Sequence, residues 1–266
     1  MLPERAHASR LGRVAVAVVT GGSSGIGAAT ARRLSRNGWH CVLLARGEDR
    51  LRAVAEEISA EWELCDVADR EAVEAVARRV RERHPAIGLL VNSAGIPGRS
   101  TFLRSDPELI ERVVRVNYLG SVWSALAFLP GLEAASPSHI VNIVSVAGTV
   151  ALGRSGPYSA SKHAQLAFSR SLTVELAPRG IRVHTINPGF IETAGFPQTQ
   201  LTEHRVLRRA VAEPELVAER VVSAIERGTV ESFAPRWYRP FAVVQAVMPG
   251  ALARAQAARR RRKTRG

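Results

Sequence analysis

The sequence predicts an α/β fold: a doubly wound parallel sheet in a single domain, carrying a basic C-terminal extension. Three observations lead there. Apolar runs alternate with amphipathic segments of helical period from residue 13 to about residue 235. The runs are continuous in Val, Leu, Ile and Ala rather than alternating, as strands buried on both faces require. A glycine-rich turn, GGSSGIG, separates the first strand from the first helix. Such alternation demands right-handed crossovers between parallel strands. With 266 residues, 46% hydrophobic and only 5% aromatic, the chain is long enough for one large domain with an aliphatic core.

Residues 13–20 (RVAVAVVT) read as the first strand, and AATARRLSRNG as a helix ended by Gly38. WHCVLLAR gives the second strand and EDRLRAVAEEISAE the second helix. A short strand, WELCDV, precedes the helix REAVEAVARRVRERH. IGLLVN (87–92) is the fourth strand and runs into the loop SAGIPG. A long helix is expected over 107–129, then the strand SHIVNIVS, a helix from 158 to near Pro178, and the strand IRVHTIN. PGFIETAGF leads to one or two helices within 201–227, and TVESFAP is the last strand. Residues 1–12 are expected to be a flexible N-terminal segment, 13–235 the folded body, and 236–266 an apolar and then polybasic tail.

Composition excludes several classes. The first thirteen residues hold no apolar core of a secretory signal, and no run of eighteen apolar residues exists to span a bilayer. Cys41 and Cys65, in apolar surroundings, read as reduced thiols, so a cytoplasmic location is expected. The net charge is +13, and seven cations without an acid fall in the last thirteen residues. That last stretch holds no aromatics among its cations and no recognised module, so it supports non-specific phosphate contact but no specific nucleic-acid partner. The seven histidines do not cluster at ligand spacing, so no metal is expected.

The chemistry concentrates between Ser145 and Lys162. Tyr158 and Lys162 are four residues apart on a helix, so hydroxyl and ammonium address one point. An ammonium there is expected to favour the phenolate and lower the tyrosine pKa. Ser145 follows the apolar run HIVNIV, where its hydroxyl is placed to polarise a carbonyl. In the glycine turn, Gly21, Ser23, Ser24, Gly25, Ile26 and Gly27 provide the tight bend and close backbone approach that a pyrophosphate at a helix N-terminus needs. Asn92, Ala94 and Gly95 close the fourth strand with small residues that let the adenosine side of a cofactor lie on the sheet edge. Asn117, a poor helix former inside a helix, is either solvated or back-bonded, or marks a kink that presents a carbonyl to water.

With these residues in view, the chain resembles the short-chain dehydrogenase/reductase family over residues 13–235. The resemblance rests on TGxxxGxG at Thr20–Gly27, Asn-x-Ala-Gly at 92–95, Asn117, Ser145, YxxxK at Tyr158–Lys162, and Pro188-Gly189 after the sixth strand. It implies an enzyme with a Rossmann-like fold that moves a hydride between a nicotinamide cofactor and a carbonyl or alcohol. Tyr158 would be its acid/base, Lys162 would hold the nicotinamide ribose, Ser145 would steady the oxyanion, and Asn117 would hold a relay water. Pro188, Gly189, Ile191 and Thr193 would line the nicotinamide end, with Asp66 and Val67 flanking the adenine. It also implies a homo-oligomer, a dimer or a tetramer. The family commonly has a second asparagine where this chain has Ser93.

At the end of the second strand, Ala45 stands where an acid would bind the ribose 2′-hydroxyl of NAD, and Arg46 follows. A guanidinium suits the 2′-phosphate, so NADP(H) is preferred, with NAD(H) the alternative if Arg46 is a surface residue satisfied by Glu48 and Asp49. Ile96, Ala147, Leu152, Phe190 and Phe196, with Ser145, are the pocket candidates, and they favour a hydrophobic substrate. A catalytically silent NADP-binding scaffold or sensor of the same fold is the rival reading, and retention of Asn117, Ser145, Tyr158 and Lys162 speaks against it. In the tail, Trp237, Tyr238 and Phe241 beside arginines precede a short apolar stretch and a polybasic end. That pattern suits a segment lying on an anionic membrane surface, the alternative being a cover for the body or a partner subunit.

Overall fold

The computed structural model describes residues 15–98, 100–151, 155–193, 195–196 and 211–263, with no side chains described beyond residue 258. Residues 1–12, Leu152 and the expected helical stretch over 201–210 fall outside the described residues. Nine strands are described: β1 (Val16–Thr20), β2 (His40–Ala45), β3 (Glu61–Leu64), β4 (Leu89–Asn92), β5 (Ser138–Ile143), β6 (Ile181–Pro188), β7 (Phe190–Ile191), β8 (Val211–Ala212) and β9 (Glu231–Ala234). Seven of them form one sheet in the order β3-β2-β1-β4-β5-β6-β9, and every neighbouring pair is parallel. The chain winds outward from β1 to β3, then returns to the other side of β1 at β4. This puts the reversal of direction between β1 and β4, where ligands bind in sheets of this type.

The sheet has a hydrophobic core on each face. Ala17 and Val19 of β1 point to one, packed with Leu34, Leu51 and Val221. Val16 and Val18 point to the other, with Val76, Phe128 and Leu172. Burial on both sides is why the strands read as unbroken apolar runs. Helices α1 (Gly25–Arg36), α2 (Glu48–Glu57) and α7 (Pro214–Arg227) supply the first core. Helices α3 (Arg70–Arg83), α5 (Gly120–Ala134) and α6 (Gly156–Leu176) supply the second.

The long helix expected over 107–129 differs in two respects. It is α4 (Pro107–Val114), a π-helical stretch at Arg115–Leu119, and then α5, which continues past Pro130 to Ala134. Asp106 starts α4 by accepting the Glu108 N–H at 3.0 Å, with Pro107 in the first turn. The tail is helical as α8 (Arg239–Val247) and α9 (Pro249–Lys263). Its start packs on the body: Tyr238 is buried, its ring stacked on Trp237 and lying where a Gly189 side chain would be. No helix among the described residues is long and apolar enough to cross a membrane.

The histidines correct one expectation. Two that are distant in sequence, His40 and His84, meet on Glu61.

Candidate active site

The loops after β1 and β4 touch at the point where the chain reverses. Gly21 has φ +70°, and a Cβ there would lie 2.9 Å from the Ala94 backbone. A Cβ on Gly27 would overlap the Gly21 carbonyl oxygen, so helix α1 can approach the turn only with glycine there. Thr20 Oγ1 accepts the Ser93 and Ala94 N–H groups at 3.1 and 3.2 Å, fixing the second loop to the first. Ser24 begins α1 without a side-chain cap, and no acid stands in the first turn. The positive end of the helix dipole is thus uncompensated where Ser23, Ser24, Gly25 and Ile26 form the rim. The glycines, the uncapped helix start and the missing acid together fit the diphosphate of a dinucleotide. Asn92 lies deeper than expected: it is buried and donates to Asn142 Oδ1 at 2.9 Å, tying β4 to β5.

Arg46 follows β2 with its side chain half-exposed. Glu48 and Asp49, which would satisfy it in the alternative reading, pair with Arg52 instead, at 3.6 and 3.3 Å. The contact from Arg46 to Asp66 is loose, at 3.8 Å. Asp66 turns one carboxylate oxygen to the Ala68 N–H at 3.0 Å, and Val67 packs where a Gly120 side chain would be. Among the described residues Arg46 thus makes no tight ion pair.

Ser145 stands two residues beyond β5. Its Oγ accepts the Ala147 N–H at 3.1 Å, lies 3.5 Å from the Pro188 carbonyl, and hydrogen-bonds Tyr158. Tyr158 is in the first turn of α6, with Phe196 edge-on at 5.7 Å. Thr193 Oγ1 accepts the Phe196 N–H at 3.0 Å, and the Thr193 methyl would meet a side chain on Gly25. The segment after β7 therefore links the tyrosine to the glycine turn. Phe190 is exposed and packs edge-on against Tyr238 at 6.3 Å.

Lys162 lies one turn beyond Tyr158 and is buried. Its Nζ donates to the Ile143 carbonyl at 3.0 Å and to Gln165 Oε1 at 2.7 Å, and sits 5.9 Å from the centre of the Tyr158 ring. Here the electrostatics depart from the expectation that the ammonium lowers the tyrosine pKa. Burial pushes the phenol up to about 12, and the Ser145 hydrogen bond offsets this only in part. Burial likewise pushes the ammonium down to about 7. Both groups are driven toward their neutral forms, and the cation is turned to Ile143 and Gln165.

Asn117 sits inside the π-helical stretch and is fully buried rather than solvated. Its Oδ1 accepts the Ile96 N–H at 2.8 Å, and its Nδ2 donates to the Ile96 carbonyl and to Ser161 Oγ, both at 3.1 Å. The wide turn thus rotates one side chain to pin the loop after β4 against α6. Gln165 and Ser121 were missed from sequence. Gln165 Nε2 donates to Ser121 Oγ at 2.8 Å, and that hydroxyl reaches the Asn117 carbonyl at 3.5 Å. The available signal was the polar stripe Tyr158, Ser161, Lys162, Gln165, Ser169 on one face of α6, the face that turns inward. A cleft of about 960 Å³ beside β9, lined by Phe233, Arg236 and Trp237, contains none of these residues.

Comparison with known proteins agrees with this geometry. A family model described as short chain dehydrogenase matches residues 15–204. An uncharacterized oxidoreductase of Staphylococcus saprophyticus is 36% identical over 218 residues, which cover 80% of this chain and 91% of that protein. Actinorhodin polyketide ketoreductase, solved as a variant with NADPH, superposes with a TM-score of 0.76 at 33% identity, covering 83% of this chain and 95% of that one. An alcohol dehydrogenase from the archaeon Thermococcus sibiricus, complexed with 5-hydroxy-NADP, gives a TM-score of 0.73 at 28% identity, covering 80% and 91%.

Proposed function

We propose, from the premise that the chain belongs to the short chain dehydrogenase family of oxidoreductases, that it interconverts a hydrophobic carbonyl compound and its alcohol with NADP(H). The observation that carries the reading is the Ser145–Tyr158 hydrogen bond with the buried Lys162 one turn away, beside the glycine turn. In reduction, Ser145 polarises the substrate oxygen and Tyr158 donates its proton there; in oxidation the phenolate takes that proton back. NADPH, when bound, supplies the hydride that the carbonyl carbon receives. Lys162 holds the nicotinamide ribose, and Gln165 keeps its ammonium in place. Asn117 orients the loop over the ribose through Ile96. Gly21, Ser23, Ser24, Gly25, Ile26 and Gly27 receive the diphosphate. Asp66 and Val67 flank the adenine, Asn92, Ala94 and Gly95 back it, and Pro188, Gly189, Ile191 and Thr193 hold the nicotinamide end. Ala147, Phe190 and Phe196 face the substrate.

Arg46 is assigned to the 2′-phosphate, in keeping with the NADP-type ligands of both solved relatives. Arg46→Ala is expected to weaken NADPH by about 1.5–3 kcal/mol, the worth of a charge-assisted contact, and to leave NADH nearly unchanged. Fluorescence titration with both nucleotides measures this. Equal losses for NADPH and NADH would make Arg46 an ordinary surface residue. A panel of ketones and aldehydes followed at the nicotinamide absorbance tests the activity itself, and no turnover with any of them would favour a silent binding protein.

We assign the tail to an anionic membrane surface. Trp237, Phe241, Val244, Val247 and Met248 are exposed along 237–248, ahead of the arginine-rich end of α9. Each cation near an anionic leaflet adds about 1 kcal/mol. The full chain is expected to sediment with anionic vesicles at low salt, and a chain ending at Tyr238, which keeps the ring over Gly189, is expected to stay in solution. Equal sedimentation of the two would remove the tail from that role. Exposed Leu126 on α5 and Val174 on α6 provide apolar surface for a homo-oligomer.

A further inference from the structure

We infer that His40, Glu61 and His84 form a binding site for a divalent transition-metal ion of the zinc class, at the opposite end of the strands from Tyr158. His40 opens β2, Glu61 opens β3, and His84 ends α3. The two imidazole Nε2 atoms approach the same oxygen, Glu61 Oε1, at 2.8 and 2.7 Å. The ring centres are 5.2 Å apart and the planes tilted by 48°. The three donor atoms lie within 4.8 Å of one another, and no other group of His, Cys, Asp or Glu does so among the described residues.

Two nitrogens and one carboxylate oxygen, with a fourth position left to water, form a donor set that zinc takes. Zinc bonds of about 2.0–2.2 Å in tetrahedral geometry hold the donors a little over 3 Å apart, so these side chains need to open by about half an ångström. All three are partly exposed, at 31%, 33% and 20%, so such a shift and the entry of an ion require no change in the fold. Imidazole with carboxylate selects Zn²⁺, Cu²⁺ or Ni²⁺ over Mg²⁺ and Ca²⁺, which prefer oxygen alone. Arg83 Nε holds Glu61 Oε2 at 2.9 Å, and its Nη2 reaches Glu63 at 2.9 Å. The carboxylate is thereby left with one oxygen for a metal and is fixed in direction, as outer partners of metal ligands do. The Arg83 charge opposes a cation, which makes this an exchangeable site rather than a closed structural one. An ion bound there ties the edge strand β3 and the end of α3 to β2, and stabilises the native chain by mass action.

Cobalt(II) is the probe, because its visible absorption reports coordination and Zn²⁺ competes for the same donors. The full chain, first stripped with a chelator, is expected to bind one Co²⁺ with a low-coordinate spectrum and to release it to Zn²⁺. His40→Ala and His84→Ala each keep the Arg83–Glu61 pair and are expected to weaken binding by at least about tenfold. X-ray absorption on the zinc-loaded natural chain, which requires no variant to fold, is expected to show two imidazoles per ion. Absence of a stoichiometric cobalt signal, undiminished binding in both variants, or a zinc shell without two imidazoles would each overturn the site.

Discussion

Tyr158→Phe is expected to bind NADPH with near-normal affinity and to lose about 10²–10⁴-fold in turnover, the usual worth of a positioned general acid. The ring is held by packing: Phe196 stands edge-on at 5.7 Å, and the residue lies in the first turn of α6 between buried Pro157 and Ser159. Phenylalanine keeps those contacts and removes only the hydroxyl. What goes with it is the hydrogen bond to Ser145 and the proton that reaches the substrate oxygen. Single-turnover measurement of NADPH oxidation, with cofactor affinity determined separately, checks both halves of the expectation. Turnover close to that of the natural chain would remove Tyr158 from the acid/base role. Weakened NADPH together with slow turnover would instead mean that the hydroxyl serves mainly in binding.

Lys162→Met is expected to lose both turnover and affinity at the nicotinamide end, because one ammonium serves both. Methionine is similar in length and fills the buried channel, so cavity formation is a small part of the effect. The substitution leaves the Ile143 carbonyl and Gln165 Oε1 without their donor, at about 1–3 kcal/mol for each if they stay unpaired. Against this, the folded natural chain carries the desolvation cost of a buried cation, which is why its pKa falls from 10.5 to about 7. The folded pKa is the lower one, so the folded state holds fewer protons than the unfolded between these values, and stability rises with pH there. The destabilising contribution of Lys162 is therefore full below about pH 7 and fades as pH approaches 10.5. Thermal melts of the two proteins from pH 7 to 10 should show the natural chain gaining on the methionine variant. A constant gap across that range would mean that the lysine stays charged throughout.

These expectations differ in how far they could be drawn from residues alone. The strands were legible because both faces of the sheet are buried, which makes each strand a compact apolar run. The pair β7 and β8 was not, since two residues each carry no period. In the long helix, one wide turn hardly disturbs the apolar pattern, and only the out-of-place Asn117 hinted at it. The proximity of Tyr158 and Lys162 follows from helical spacing. The direction of their electrostatic coupling does not, because it depends on how much water surrounds each group and on where the ammonium points.

Local sequence was enough for the order of strands and helices along the chain, the glycine turn and the one-turn spacing of Tyr158 and Lys162, since each depends on residues a few positions apart. Tertiary structure alone decided that Glu48 and Asp49 leave Arg46 to a loose contact with Asp66, that Gln165 captures the Lys162 ammonium, and that Asn92 turns inward to Asn142. It also brought His40, Glu61 and His84 together, across 23 residues from Glu61 to His84. The physical reason is that strand order and helix packing choose which neighbours compete for each buried donor and acceptor, and no local pattern encodes that competition.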